Sequence, residues 1–136
     1  MPGRRSLTTA RTSQSGLVLA YRRGKLDGHD MPALQLLETG YRYQDAYEAA
    51  AGMLTPVRHE VRGTLVSTGQ EATFAAAIAL KRLRAPLSAD HVAVLDSVCG
   101  EGRTVYSTAQ GARRHAHTIE RLLREGLAAA TVERQR

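Results

Sequence analysis

The chain has 136 residues, of which 43% are hydrophobic and only six are aromatic. This length and composition predict one modest, mainly helical domain with tails and leave little room for a second full core. The single cysteine excludes an intrachain disulfide, and no apolar run has the length of a membrane span or a signal peptide, so we expect a cytoplasmic protein without membrane contacts.

The net charge of +6 is unevenly distributed along the chain. Residues 1–25 carry six basic side chains and no acidic one, residues 26–102 carry ten acidic and six basic ones, and residues 103–136 carry seven arginines against three glutamates. Two basic ends around an acidic middle favour local contacts with a polyanion such as nucleic acid. A general arginine bias in the composition is the competing explanation.

Residues 1–15 are rich in Ser, Thr and Arg and almost free of large apolar side chains. This composition predicts a disordered basic arm. Arg4, Arg5 and Arg11 are candidates for contacts with a DNA backbone, although a plain flexible tail explains the same pattern.

Residues 16–84 are expected to form an N-terminal helical region. A short apolar segment over 17–21 ends at an Arg-Arg-Gly break, and Asp30 is a candidate N-cap for a long helix with Pro32 in its first turn. Leu34, Leu37 and Tyr41 keep helical spacing on one face of that helix, and Gln44, Tyr47 and Ala50 follow on much the same face. We interpret Tyr41, Tyr43 and Tyr47 as core and boundary residues, in preference to a base-stacking platform.

Residues 52–69 interrupt this pattern with three glycines and a proline. Alternation over 57–66 suits a small β-hairpin, and an irregular connector fits equally well, so the sequence leaves both open. Thr68 and Glu71 have the spacing of a capping box, which predicts a helix from there to about Arg84. Ser88 then caps a further helix that ends at Gly100.

Residues 85–130 carry the pattern of a helix-turn-helix, followed by a tail over 131–136. A short helix opened by Arg103 or Thr104 places the small Ala109 where a second helix would cross closely. Ile119 lies ten positions later, at the distance at which such motifs pack the second helix against the first. Further apolar side chains continue the buried stripe of the longer helix: Leu122, Leu123 and Leu127.

The other face of this second helix and its preceding turn is rich in hydrogen-bond donors. Such motifs place the start of the second helix in the major groove, where donors read base edges or hold phosphates. A solvated surface helix is the alternative explanation, and for the two histidines alone it is the more common one. The candidate DNA-binding residues are Arg113, Arg114, His115, His117, Thr118, Arg121 and Arg124.

The phrase LDSVCGEGRTVYSTAQGARRHAHTIERLLREGLAAA resembles the helix-turn-helix of sigma-factor region 4 and of related phage and gene-transfer-agent regulators. The earlier stretch GLVLAYRRGKLDGHDMPALQLLETGYRYQDAYEAA resembles the N-terminal half of a related family of alphaproteobacterial proteins. Together the resemblance covers most of residues 16–130. It implies an all-α, mainly helical protein that regulates transcription by binding promoter DNA.

One position departs from this motif. Glycine usually follows the buried alanine by four residues and precedes an apolar residue, whereas Arg113 and Arg114 stand at those places and Gly111 comes two residues early. Either the turn is remodelled or one helix is shifted by about a turn against the usual register. The residues that would contact bases depend on which of the two holds.

No arrangement in the sequence favours an enzyme. Cys99 and His91 are eight residues apart in one predicted helix, too far for a hydrogen bond, and the turn with Asp27, His29 and Asp30 is an ordinary polar turn more often than a metal site. We therefore expect no catalytic residue, metal or cofactor.

The expected partner is double-stranded DNA, with RNA polymerase as a further candidate and a homodimer left open. The alternative is an adaptor that docks on RNA polymerase or another regulator with little DNA contact.

Overall fold

The computed structural model describes residues 15–52 and 63–135, with side chains described for 15–52 and 72–133. All regular structure in these ranges is helical, which confirms the all-α prediction. A single π-helical turn, Asp96–Gly100, continues the fourth helix. The helices are α1 (Gly16–Arg22), α2 (Ala33–Ala50), α3 (Gly63–Arg84), α4 (Ala89–Leu95), α5 (Val105–Ala112) and α6 (Ala116–Gln135).

Helix α6 lies at the centre of the fold and packs against α2, α3, α4 and α5. Its apolar side chains Ile119, Leu123 and Leu127 are at most 1% exposed. They join one continuous hydrophobic cluster that runs from Leu17 in α1 to Ala130 in α6. Burial of this common core is the main favourable contribution to folding, and the two regions separated in the sequence at residue 84 share it.

The last helix continues beyond the boundary predicted from the sequence. Thr131 was assigned to a C-terminal tail, but it is fully buried within α6. The Thr131 hydroxyl donates its one proton to the Leu127 carbonyl at 2.7 Å. In the 2.6 Å bond between the two threonine hydroxyls, Thr39 is therefore the donor and Thr131 the acceptor. This paired arrangement satisfies two buried hydroxyls and joins α2 to α6.

Helix α2 begins later than predicted. Pro32 is its N-cap residue, with extended backbone (φ −61°, ψ 142°) and no side-chain capping bond, so the assignment of Asp30 as the cap is wrong. A proline disfavours helical backbone in the residue before it, which keeps Met31 outside the helix. The Met31 N–H instead donates to His29 Nδ1 at 3.3 Å.

The buried face of α2 only partly matches the predicted one: Leu37 is buried and Tyr47 is partly buried, but Leu34 and Tyr41 lie outside the core. These two side chains are 55% and 37% exposed, whereas Leu36 and Tyr43 are fully buried. The interpretation of the tyrosines as core and boundary residues is confirmed for Tyr43 and for the partly buried Tyr47. Tyr41 lies on the outside.

Helix α3 starts well before its predicted capping box. Residues 64–66, which suited a strand, are helical, and Thr68 lies inside the helix and does not cap it. The end at Arg84 is confirmed. Residues 53–62, which include most of the hairpin-or-connector segment, lie outside the described part of the chain.

Helix α4 begins as predicted, because the Ser88 hydroxyl accepts the His91 N–H at 3.2 Å.

The π turn that follows α4 is anchored by a side-chain triad that joins three helical segments. Arg84 Nη2 donates to both carboxylate oxygens of Asp96 at 2.8 and 2.9 Å, and its Nε donates to the Tyr43 hydroxyl at 3.0 Å. Tyr43 in turn donates to Asp96 Oδ1 at 2.5 Å. The buried phenol is therefore fully satisfied.

Among the described helices, none combines the length and the apolar character that crossing a membrane requires. The predicted arm lies outside the described residues except for Ser15. That residue is buried, and its side chain caps α1 by accepting the Val18 N–H at 3.2 Å.

Candidate nucleic-acid interface

Helices α5 and α6 form the predicted helix-turn-helix unit. Thr104 caps α5 by accepting the Ser107 N–H at 3.0 Å, a three-residue turn follows at 113–115, and α6 begins at Ala116. Ala109 is 4% exposed and Ile119 is 1% exposed, so both positions expected at the crossing are buried. The spacing of ten residues between a small and a branched side chain predicted this packing.

The turn between the two helices keeps its usual register without a glycine. Arg113 adopts the left-handed conformation (φ 58°, ψ 45°) four residues after Ala109. Its N–H donates to the Gln110 carbonyl at 3.2 Å, and the Arg114 N–H donates to the Ala109 carbonyl at 3.0 Å, which is the bonding of a Schellman motif. An arginine here takes the conformation that glycine normally provides, so neither a remodelled turn nor a shifted helix is needed.

The turn and the first two turns of α6 present the donors that were predicted. Arg113, Arg114, His115, His117 and Arg121 are exposed. The rings of the two histidines stack with centroids 5.8 Å apart. Thr118 lies on the same side of α6 and is half-buried.

Two of these arginines contact carboxylates. Arg114 Nη2 lies 3.4 Å from Asp90 Oδ2 of α4, and Arg121 Nη1 lies 3.3 Å from each carboxylate oxygen of Glu125. Exposed pairs of this kind contribute little to stability, and a phosphate or a base edge can replace the carboxylate at small cost. Among the described residues, Arg113 has no ion-pair or hydrogen-bond partner for its guanidinium.

Arg124 differs from the other candidates because its guanidinium faces the body of the protein. Its Nη1 donates to the Lys25 carbonyl at 3.0 Å, and Lys25 Nζ lies 3.6 Å from Glu120. These contacts join the turn after α1 to α6. The structure thus places Arg124 on the flank of the candidate site, where it holds a neighbouring loop.

Two residues that border the site, His91 and Glu125, are not among the DNA-binding residues predicted from the sequence. The Ser88 N–H donates to His91 Nδ1 at 3.3 Å, so that nitrogen accepts and His91 Nε2 donates to Glu125 Oε1 at 3.2 Å. The hydrogen bond from His91, together with that from Arg121, holds the pKa of Glu125 below its usual range. The spacing of Arg121 and Glu125 could have indicated their pair, but the contact with α4 is tertiary and leaves no local signal.

Glycine at position 126 brings α4 and α6 together at this point. A Cβ atom there would lie 2.7 Å from Leu95 Cδ1 and 3.4 Å from His91 Cβ. The missing side chain lets the backbone of α6 approach His91 closely. The distance from His91 to Glu125 follows from this packing.

In the part of the chain that the structure describes, no cluster of three or more His, Cys, Asp or Glu side chains could hold a metal ion. Cys99 is buried, and burial raises the pKa of its thiol. The candidate arm residues Arg4, Arg5 and Arg11 lie outside the described residues.

No family model, curated protein or solved structure matches the chain. The resemblance to sigma-factor region 4 and gene-transfer-agent regulators stays a prediction.

Proposed function

We propose that the protein is a sequence-specific DNA-binding regulator of transcription that acts at promoters through the turn and the first half of α6. The observation that supports this most directly is the exposed row of arginines and histidines on a helix-turn-helix unit whose crossing residues are buried. Helices in such units enter the major groove with their N-terminal residues. RNA polymerase is a further candidate partner at the promoter.

The three exposed arginines suit two different roles. Arg113 and Arg114 precede the helix, where guanidinium groups usually hold phosphates and set the orientation of the protein on DNA. Arg121 lies on the exposed face one turn beyond His117, where a side chain can reach base edges. Phosphate contacts give affinity, and base contacts give sequence preference.

Three single variants of the full chain test this proposal. Arg121→Ala should weaken binding to a preferred duplex by about 1–3 kcal/mol and leave binding to random duplex nearly unchanged. Arg113→Ala and Arg114→Ala should weaken binding to both duplexes alike. Each should also reduce the slope of log affinity against log salt concentration by about one. Electrophoretic mobility shift at two salt concentrations measures both effects. Binding equal to that of the parent in all three variants would rule the proposal out.

A second candidate function is that of an adaptor that docks on RNA polymerase or another regulator. The observation that favours it is an exposed apolar pair on α3, Phe74 (69%) and Ile78 (44%). Exposed aromatic side chains are common anchors of protein interfaces. An adaptor would bind duplex DNA weakly or not at all, and it would bind purified RNA polymerase with an affinity that Phe74→Ala lowers.

A further inference from the structure

We propose that Glu125, held from α4 by His91, is a positioning residue that orients Arg121 for reading a guanine. The inference rests on the proposed DNA-binding function and adds the origin of its sequence preference. Three groups from two helices form a continuous hydrogen-bonded chain, which we call the orienting chain: His91, Glu125 and Arg121.

The hydrogen bonds of Arg121 leave one edge of its guanidinium available. A single nitrogen, Nη1, donates to both oxygens of Glu125 at 3.3 Å. Within the described residues, Nε and Nη2 of Arg121 have no hydrogen-bond partner. Because these two groups form one edge of a planar fork, they can donate together to the O6 and N7 atoms of one guanine. The side chain is 53% exposed, so DNA can reach this edge.

The other end of the orienting chain is fixed by the packing of α4. His91 is the residue that completes the capping box of Ser88, so its ring is held at Nδ1 and presents Nε2 to the carboxylate. The glycine at 126 keeps the two helices close enough for the 3.2 Å contact with Glu125. An ordinary pair of exposed side chains on one helix lacks this second support, and its geometry varies freely.

The charge of Glu125 distinguishes a role in specificity from a role in affinity. A carboxylate beside DNA repels phosphates and lowers binding to every sequence. Glu125 instead favours discrimination between bases. When it fixes Arg121, the donors Nε and Nη2 lose less rotamer freedom on binding a guanine.

The test begins with selection from a pool of randomised duplexes by the full-length parent protein. The ratio of its affinities for the enriched duplex and for the unselected pool is the measured specificity. We expect Arg121→Ala to lower this ratio by about tenfold or more, and Glu125→Ala to lower it by about fivefold while raising affinity for the pool. Glu125→Gln, which keeps one acceptor oxygen, should recover part of the ratio.

Glu120→Ala is the matched control, because it removes the same charge from the same helix at a side chain that pairs with Lys25, whereas Arg121 pairs with Glu125. It should strengthen binding to both duplexes alike and leave the ratio unchanged. His91→Ala should lower the ratio less than Glu125→Ala does, with the fold of each variant checked by circular dichroism.

The possible failures are distinguishable. If Arg121→Ala lowers the ratio while Glu125→Ala behaves like Glu120→Ala, the orienting role is wrong and the DNA-binding proposal stands. If the parent enriches no duplex from the pool, sequence-specific binding itself is wrong.

Discussion

Among the described residues, Arg113 has the backbone conformation that is least favourable for a residue other than glycine. A left-handed non-glycine residue costs about 1–2 kcal/mol, while a glycine costs about 0.5–1 kcal/mol through the entropy of the unfolded chain. Arg113→Gly should therefore raise the free energy of unfolding by about 0.5–1 kcal/mol. Urea unfolding followed by circular dichroism measures the change.

Arg114→Gly is the control for that prediction. Its backbone is not left-handed, since Arg113 is the one non-glycine residue with positive φ in the described ranges. The same substitution one residue later should lower stability by about 0.5–1 kcal/mol. Equal effects of the two substitutions would mean that the turn is not strained at Arg113.

The Tyr43 hydroxyl links folding to alkaline pH. Burial, reinforced by the hydrogen bond to Asp96, raises the pKa of this phenol above its ordinary 10.0. The unfolded chain then loses the proton first as pH rises, so the contribution of Tyr43 to stability is complete below about pH 10 and declines above it. Urea unfolding at pH 9 and pH 11 should show a loss in the parent protein that is smaller in Tyr43→Phe.

Tyr43→Phe should also cost about 1–3 kcal/mol at neutral pH, because Arg84 and Asp96 lose a hydrogen-bond partner. Tyr41→Phe is the matched variant, since that side chain lies outside the core. Tyr41→Phe should change neither the free energy of unfolding at neutral pH nor its loss between pH 9 and pH 11. An alkaline loss in Tyr43→Phe as large as that of the parent would contradict the assignment.

At the scale of the helices, the features that could be predicted from the sequence are those that neighbouring residues determine, such as helix caps and the spacing of packed side chains. Ser88 caps its helix as expected, and of the two candidates Arg103 and Thr104 it is Thr104 that caps α5. The spacing of Ala109 and Ile119 located the helix-turn-helix. The start of α2 could not be found in this way, because Pro32 begins that helix without any side-chain capping bond.

The buried face of α2 and the partners of the candidate site depend on tertiary packing. Leu34 and Leu36 are equally apolar, and only the packing of the other helices against α2 decides which one is covered. The buried stripe also contains Thr39, whose polar side chain obscures the pattern until its partner in α6 is known. In the same way, Arg124 looks like a DNA contact in the sequence, and only the position of the Lys25 carbonyl reveals its tertiary role.

Two glycines of the helix-turn-helix unit should respond oppositely to the same substitution. Gly111 lies in the last turn of α5, where an added Cβ meets nothing within 4 Å. Gly111→Ala should therefore raise stability by about 0.5–1 kcal/mol. Gly126→Ala should lower it by about 1–2 kcal/mol, because the added methyl meets the buried Leu95. Thermal melting of both variants checks the signs, and two changes of the same sign would contradict this account.

At the scale of the whole molecule, α1 joins the helix-turn-helix through a contact between backbones. The Gly16 N–H donates to the Gly102 carbonyl at 3.1 Å, and a Cβ at Gly16 would lie 1.7 Å from the Arg103 carbonyl oxygen. Gly16→Ala should thus displace α1 and cost about 3 kcal/mol, at the upper end for overpacking. Urea unfolding measures this loss, with Gly111→Ala as the control, and an unchanged midpoint would show that α1 contributes little.

The hydrogen bond between Thr39 and Thr131 has a consequence for the order of events during synthesis. The two residues are 92 positions apart, and both lie in the closed core. The ribosome must add residue 131 before Thr39 of α2 can pair with Thr131 of α6. The core residues Leu17, Leu26 and Leu36 have been synthesised long before that point. Domains fold as units and incomplete ones expose apolar surface. The nascent chain therefore carries an incompletely covered α2, packed against α1, α3 and the π turn at most, until translation reaches the end of α6.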